Sequence, residues 1–161
     1  MPGAGPRRWG WHPLREEWAA SIVASSAVRP GDTVLDLGAG DGALTRPLLD
    51  SGARVLAIEG HPGRAARLRT NIAHPDLTVV EADLRDLRLP GRPFRVVASP
   101  PYGMSSDLVA LLLSSHRLLS ADLVLQQAAA RRLVRPHRHF AVSVGTTVPR
   151  RAFRTPPRVD S

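Results

Sequence analysis

The stretch "TVLDLGAGDGALTRPLLDSG" (33–52) decides the fold. Its first five residues are strand formers interrupted by a single acid, Asp36, and they run directly into glycines at 38, 40 and 42. Glycines let a chain turn sharply and let a ligand approach the backbone. The residues after them carry leucines at helical spacing, so the order is strand, glycine loop, helix. That unit opens a parallel α/β sheet and holds its ligand near the start of the helix.

The same alternation continues outward. Upstream, "PLREEWAASIVASSAV" (13–28) predicts an amphipathic helix opened by Pro13, with Leu14, Trp18 and Ile22 along one side. Downstream, "ARVLAIE" (53–59) predicts a second strand, "HPGRAARLRTNIA" (61–73) a helix and "LTVVEAD" (77–83) a third strand. "PFRVVA" (93–98), "SSDLVALLLSSHRLL" (105–119) and "ADLVLQ" (121–126) predict strand, helix and strand, followed by a helix from "QAAARRLV" and a last strand in "FAVSVGTTVP" (140–149). The fold class is therefore α/β, doubly wound, with a mostly parallel sheet and helices on both faces. Residues 1–12, rich in Gly, Pro and Arg, are expected to form a mobile basic N-terminus, and 13–161 a single domain.

Composition narrows the class. A chain of 161 residues, 43% of them hydrophobic, suits one domain with a sizeable core. No apolar run reaches membrane-spanning length, and "MPGAGPRRWG" lacks the apolar region of a secretory signal, so a soluble cytoplasmic protein, acting as a monomer, is expected. Without cysteine there are no disulfides or thiolate metal sites, and the six histidines show no metal-ligand spacing. All 22 basic residues are arginine against 14 acids, a net charge of +8. The planar guanidinium suits phosphate, so a nucleic-acid partner is expected, although a merely solvated arginine-rich surface would give the same count.

In a doubly wound sheet, ligands bind outside the carboxyl ends of the strands. Those ends carry Asp36, Glu59, Asp83 and Ser99. The loop from Gly38 to Ala43, with Glu59 about 20 residues on, also fits a dinucleotide fingerprint, so a nicotinamide cofactor competes. Two features weigh against it. Asp36 and Asp41 flank the loop with negative charge, which suits a cation better than a pyrophosphate. Hydride chemistry also leaves the ending of the fourth strand unexplained. S-adenosylmethionine meets both points: it is cationic, Glu59 suits its ribose diol and Asp83 its adenine amine. The plainer alternative is that Glu59 and Asp83 cap the helices that follow them.

That ending is "ASPPYGMS" (98–105). Two prolines cannot donate to a sheet ladder, so the strand stops there, and on its own the stretch reads as a turn. Taken together, "VLDLGAGDGALTRPLL", "VLAIEGHP", "VVEADL", "SPPYGMSSDLVALLL", "ADLVLQQAAARRL" and "VPRRAFRTPPRVDS" resemble the ribosomal RNA adenine N6-methyltransferases in order and spacing. That family comprises the erythromycin-resistance (Erm) methylases and the housekeeping dimethyladenosine transferases. The resemblance extends from about Gly10 to Ser161, and its most specific parts are the proline-tyrosine motif and the "FRTPPRVDS" tail.

The resemblance implies a class I, Rossmann-like fold that uses S-adenosylmethionine to methylate N6 of an adenine in ribosomal RNA, of the 23S, macrolide-resistance type. It implies Gly38 and Gly40 at the methionine end of the cofactor, Glu59 at the ribose and Asp83 at the adenine. His12 and Leu14 match the family's entrance motif, which with Ser99 places them among the expected cofactor-binding residues, whereas Trp11 and Pro13 do not match. Ser99 and the Pro100 carbonyl would accept hydrogen bonds from the target amine, and Tyr102 would stack on the base, flipped out or single-stranded. Ser99 replaces the usual Asn, and Pro100 a branched residue or leucine. In the family, "PPRVDS" leads into a further strand and a small helical domain, which this chain, ending at Ser161, is expected to lack. A DNA or protein-glutamine amino-methyltransferase, or an inactive RNA-binding remnant, remains as an alternative.

Overall fold

In the computed structural model, which describes residues 12–155, five strands form one sheet: β1 (Thr33–Leu37), β2 (Arg54–Glu59), β3 (Leu77–Glu81), β4 (Phe94–Ala98) and β5 (Leu118–Leu123). Their order is β3-β2-β1-β4-β5, and every paired neighbour is parallel. The helices are α1 (Glu16–Ser25), α2 (Thr45–Asp50), α3 (Pro62–Asn71), α4 (Ser105–Leu113) and α5 (Gln127–Leu133). The chain builds the sheet outward from β1 in one direction and then returns to β1's other side with β4. The expected doubly wound architecture is therefore present, with its switch point between β1 and β4.

Alternate residues along the strands supply two cores. Val34, Val55, Ala57 and Val97 pack with Ala19 and Val23 of α1, Leu48 and Leu49 of α2, and Leu68 of α3. Leu35, Leu37, Ile58, Phe94, Val96 and Ala98 face the other way, onto Leu108 and Leu112 of α4. Burial on both faces explains why β1 and β4 read as nearly continuous apolar runs.

Three expectations are corrected. Pro13 does not open a helix. Residues 13–15 are extended, Leu14 forms an antiparallel bridge with Phe153, and α1 begins at Glu16. The backbone amide of Arg15 donates to Ala152 O at 2.7 Å and that of Arg154 to Pro13 O at 2.8 Å, bonds that a helix over these residues would forgo. Second, α4 stops at Leu113 and β5 starts at Leu118, three residues ahead of the expected strand. Ser114 Oγ turns back to Leu111 O at 2.6 Å and Ser115 Oγ accepts from Arg117 N at 3.2 Å, so the serines end the helix. Leu118 then pairs with Phe94. Third, residues 140–149 form no strand. A strand must satisfy a row of backbone groups through a neighbour, and no described segment pairs with this one.

Residues 1–11 of the expected mobile N-terminus and the whole "PPRVDS" tail (156–161) lie outside the described residues. Among the described residues no helix is long and apolar enough to cross a membrane, and no group of three or more His, Asp or Glu could hold a metal ion.

Candidate functional site

The carboxyl ends of β1 and β4 meet at the switch point. A Cβ on Gly38 would lie 3.2 Å from Pro101 Cδ, 3.5 Å from Pro100 Cα and 3.8 Å from Ser99 O. Gly38 has φ +78, in the left-handed region that glycine occupies without strain. A side chain at this position would push on the proline turn, so glycine lets the loop and the turn share this crevice without displacement.

The loop's amides are turned inward. Gly38 N and Ala39 N both donate to Ile58 O, at 2.8 and 3.0 Å, and Gly42 N donates to Ala39 O at 2.9 Å. Gly40 N donates to Glu59 Oε2 at 2.8 Å. A pyrophosphate cradle needs such amides aimed at the ligand. Four of them are committed to the protein instead, which counts against the dinucleotide alternative and leaves the recognition of a ligand here to carboxylates and carbonyls.

Glu59, only 3% exposed at the end of β2, clasps the loop. Besides Gly40 N, its carboxylate accepts from His61 N at 2.8 Å and from Arg64 Nη2 at 3.2 Å. It therefore joins the glycine loop, the end of β2 and the first turn of α3, and three of the roughly four acceptor positions of a carboxylate are in use. Asp83 lies beyond β3, whose Glu81 is in register with Glu59. It caps the short 3₁₀ turn Leu84–Asp86 by accepting from Arg85 N at 2.9 Å, and it also holds the Arg85 guanidinium. Asp83 thus makes the capping contact of the plainer alternative, whereas α3 is capped by His61, whose Nδ1 accepts from Arg64 N, and Glu59 holds only the amide of that cap residue; both acids still stand at neighbouring strand ends.

Asp36 differs from its expected part. It is 1% exposed, and its partner is Thr45 Oγ1 at 2.7 Å. Burial, with the nearby Glu59 charge adding to it, pushes its carboxyl up to about 7. The raised value weakens the charge that Asp36 was expected to set beside the loop, so negative charge at the crevice comes chiefly from Glu59 and the exposed Asp41, itself 3.3 Å from Arg67.

The proline turn is held from both sides. Val124 N donates to Ala98 O at 2.9 Å, extending the sheet up to Ser99, and Ser105 Oγ donates to Tyr102 O at 2.8 Å. Pro100 is buried, while Ser99 and Tyr102 are half-buried. The Tyr102 ring lies 5.5 Å from the ring of His12, centroid to centroid, with the planes 31° apart. His12 is also 6.5 Å from Phe153, edge-on. Leu14, 2% exposed, belongs to the core. Sequence reasoning missed Arg64, Thr45 and Phe153. Phe153 stands out only as a lone aromatic in an arginine- and proline-rich tail, and nothing local marks the other two.

A family model described as "Ribosomal RNA adenine dimethylase" matches residues 14–161. The ribosomal RNA small subunit methyltransferase A of Thermosynechococcus vestitus is 37% identical, over 96% of this chain and 66% of its own length. The rRNA adenine N-6-methyltransferase of Saccharopolyspora erythraea is 32% identical, over 96% of this chain and 44% of its own. Among solved structures, the 23S rRNA methyltransferase ErmE superposes with a TM-score of 0.82 at 34% identity, covering 92% of this chain and 66% of that one. A dimethyladenosine transferase from Plasmodium falciparum follows at 0.77 and 25%, covering 92% and 60%. The chain thus spans between about half and two thirds of the length of these relatives.

Proposed function

Because the chain belongs to the ribosomal RNA adenine dimethylase family, we propose that it is an S-adenosylmethionine-dependent enzyme that methylates N6 of an adenine in ribosomal RNA. The observation that carries this reading is the close approach of Gly38 to the proline turn, where an added Cβ would lie 3.2 Å from Pro101 Cδ, which makes one crevice of the glycine loop and the proline-tyrosine turn.

The residues present fit the cofactor. The crevice has an acid at each of two neighbouring strand ends, and the loop amides named above are not offered to a phosphate. Gly38 and Gly40 border the methionine end, the remaining acceptor position of Glu59 takes a ribose hydroxyl, and Asp83 takes the adenine amine. Bound there, the cofactor supplies a methyl carbon made electrophilic by the adjoining sulfonium. Ser99 Oγ and the Pro100 carbonyl accept the two N–H bonds of the target amine. An adenine amine is a weak nucleophile because its lone pair is delocalised into the ring, and these acceptors would help localise that pair on nitrogen and hold the N–H proton that the amine gives up when the methyl leaves the sulfonium sulfur. The prolines supply no N–H that would compete for the acceptors. Tyr102 stacks on the base, flipped or single-stranded, and positioning contributes much of the remaining rate. Arg131, Arg132, Arg150 and Arg151, all exposed, meet the RNA phosphates.

The finer target is 23S-type RNA, with the chain acting as a monomer. The higher TM-score to ErmE, 0.82 against 0.77 for the dimethyladenosine transferase, favours the 23S-type target, while the 37% identity to the small subunit methyltransferase A against 32% to the rRNA adenine N-6-methyltransferase favours a 16S-type one. The test is transfer of labelled methyl to 23S transcript, 16S transcript, duplex DNA and a protein acceptor in parallel. Labelling of 23S transcript alone is expected. Labelling of DNA or protein in place of RNA overturns the reading, and transfer to 16S alone overturns the 23S assignment. Tyr102→Ala should lower turnover about 5- to 150-fold, the worth of one base stack, while Tyr102→Phe keeps most of it because the ring is what stacks. Ser99→Ala should lower turnover through the lost acceptor. Full activity in Tyr102→Ala removes Tyr102 from the site.

A further inference from the structure

The first turn of α3 carries a cation where a helix favours an anion. After the cap His61 come Pro62, Gly63 and Arg64, with no acid among them. The amides at a helix start present positive charge, so an arginine there is unfavourable unless an anion faces it. Arg64 is also buried, at 8% exposure, and a buried guanidinium costs free energy unless it is paired. One contact offsets both costs: Arg64 Nη2 donates to Glu59 Oε1 at 3.2 Å.

Asp36 shows what this contact adds. It is sealed from water as Glu59 is, and its partner is a hydroxyl, Thr45 Oγ1. Glu59 has a guanidinium instead, and its two oxygens are held separately. Oε1 accepts from His61 N and Arg64 Nη2, and Oε2 accepts from Gly40 N. Of these three donors the guanidinium alone brings a full opposite charge, and it arrives on a side chain, not on the backbone. From this geometry we infer that Arg64 is a positioning residue for the cofactor site: it holds the Glu59 carboxylate, in charge and in orientation, for the ribose diol. Arg64 acts through Glu59, and the inference rests on Glu59 as the ribose contact of the proposed function.

The full chain tests it with two variants and two ligands. Arg64→Met removes the charge and keeps the stem, and Arg64→Lys keeps a charge. The ligands are S-adenosylhomocysteine and its 2′,3′-dideoxy analogue, which has no diol for Glu59 to hold. In Arg64→Met, affinity for S-adenosylhomocysteine should fall about tenfold, the scale of one hydrogen bond to a charged group. Affinity for the dideoxy analogue should match the parent's, and Arg64→Lys should recover most of the loss. The Gly40 amide sits on the other oxygen of Glu59, so its NMR signal in the free protein should move in Arg64→Met. An unmoved Gly40 signal overturns the inference, as does unchanged affinity for S-adenosylhomocysteine. Equal losses for both ligands also overturn it, for they assign Arg64 to the fold alone. Should Arg64→Met not fold, Arg64→Gln, neutral and still a donor, takes its place under the same outcomes. A parent that binds neither ligand, or both equally, defeats the ribose reading of Glu59 instead, and the Gly40 signal still decides whether Arg64 holds the carboxylate.

Discussion

Gly38 and Pro101 face each other across the switch point of the sheet with no room for a side chain in van der Waals comfort: a Cβ on Gly38 would stand 3.2 Å from Pro101 Cδ. Contacts this short are rare for real Cβ atoms, and on the far side the proline is followed directly by Tyr102. The glycine therefore sets the distance between the two halves of the crevice as well as the shape of its own loop.

Gly38→Ala should lower stability by about 1–2 kcal/mol for the left-handed backbone alone, and it should also weaken cofactor binding and methyl transfer by displacing the proline turn. Gly31→Ala is the control. Gly31 has φ +85 but nothing within 4 Å of its would-be Cβ, so it should show the backbone cost and leave cofactor affinity unchanged. Denaturant unfolding and calorimetric titration of both variants check this. Equal cofactor affinities in the two would separate Gly38 from the site.

Glu59→Ala, read from sequence, should weaken S-adenosylmethionine binding with little loss of fold. The structure revises the second half. Removing this carboxylate takes an ionic partner from the buried Arg64 guanidinium and an acceptor from the Gly40 and His61 amides, so a stability loss of about 3–5 kcal/mol is expected. Glu59→Gln keeps one acceptor oxygen and should fold better while still binding cofactor weakly. Urea midpoints and cofactor titrations on the pair distinguish the clasp from the ribose contact.

Asp36 makes stability depend on pH. Its folded value of about 7 lies above the ordinary 3.8, so between these pH values the folded state holds a proton that the unfolded chain has lost. Stability from this group is full below about pH 4 and is lost as pH rises toward 7, a change on the order of 4 kcal/mol. Asp36→Asn cannot ionise, and its oxygen can still accept from Thr45. Its stability should change far less between pH 4 and pH 8, and at pH 8 it should exceed the parent's. Thermal unfolding across that range checks the slope, and parallel curves for parent and variant would refute it.

If arginines dock the RNA, affinity should fall steeply with salt, because each neutralised phosphate releases counterions. Arg131→Ala with Arg132→Ala, in the last turn of α5, should reduce the log–log slope by about 1–2. Arg150→Ala should act likewise, and Arg7 and Arg8, outside the described residues, are candidates of the same kind. A flat salt dependence in the parent would assign the +8 to composition alone.

The pattern of strands and helices was legible because it is local. Val34, Leu35 and Leu37 next to three glycines, or Phe94 to Ala98 ahead of two prolines, carry their periods and breaks within a few residues. The acids at strand ends were legible for the same reason, since strand polarity alone brings Glu59, Asp83 and Ser99 to one edge. Partner choice is not local. "RLLSADLVL" suits helix or strand equally, and the pairing of Leu118 with Phe94 decided it. Residues 13–15 were drawn out of a helix by the backbone bonds of Arg15 to Ala152 and of Pro13 to Arg154, 137 and 141 residues away along the chain. The segment 140–149 has the composition of a strand and no described neighbour to pair with. Nor does any spacing reveal that Asp36 is sealed in the core with a raised pKa, or that Glu59 is held by three donors. Burial and hydrogen-bond partners are properties of the packed chain, because they depend on which distant surfaces exclude water from a group, and only the tertiary structure brings those surfaces together.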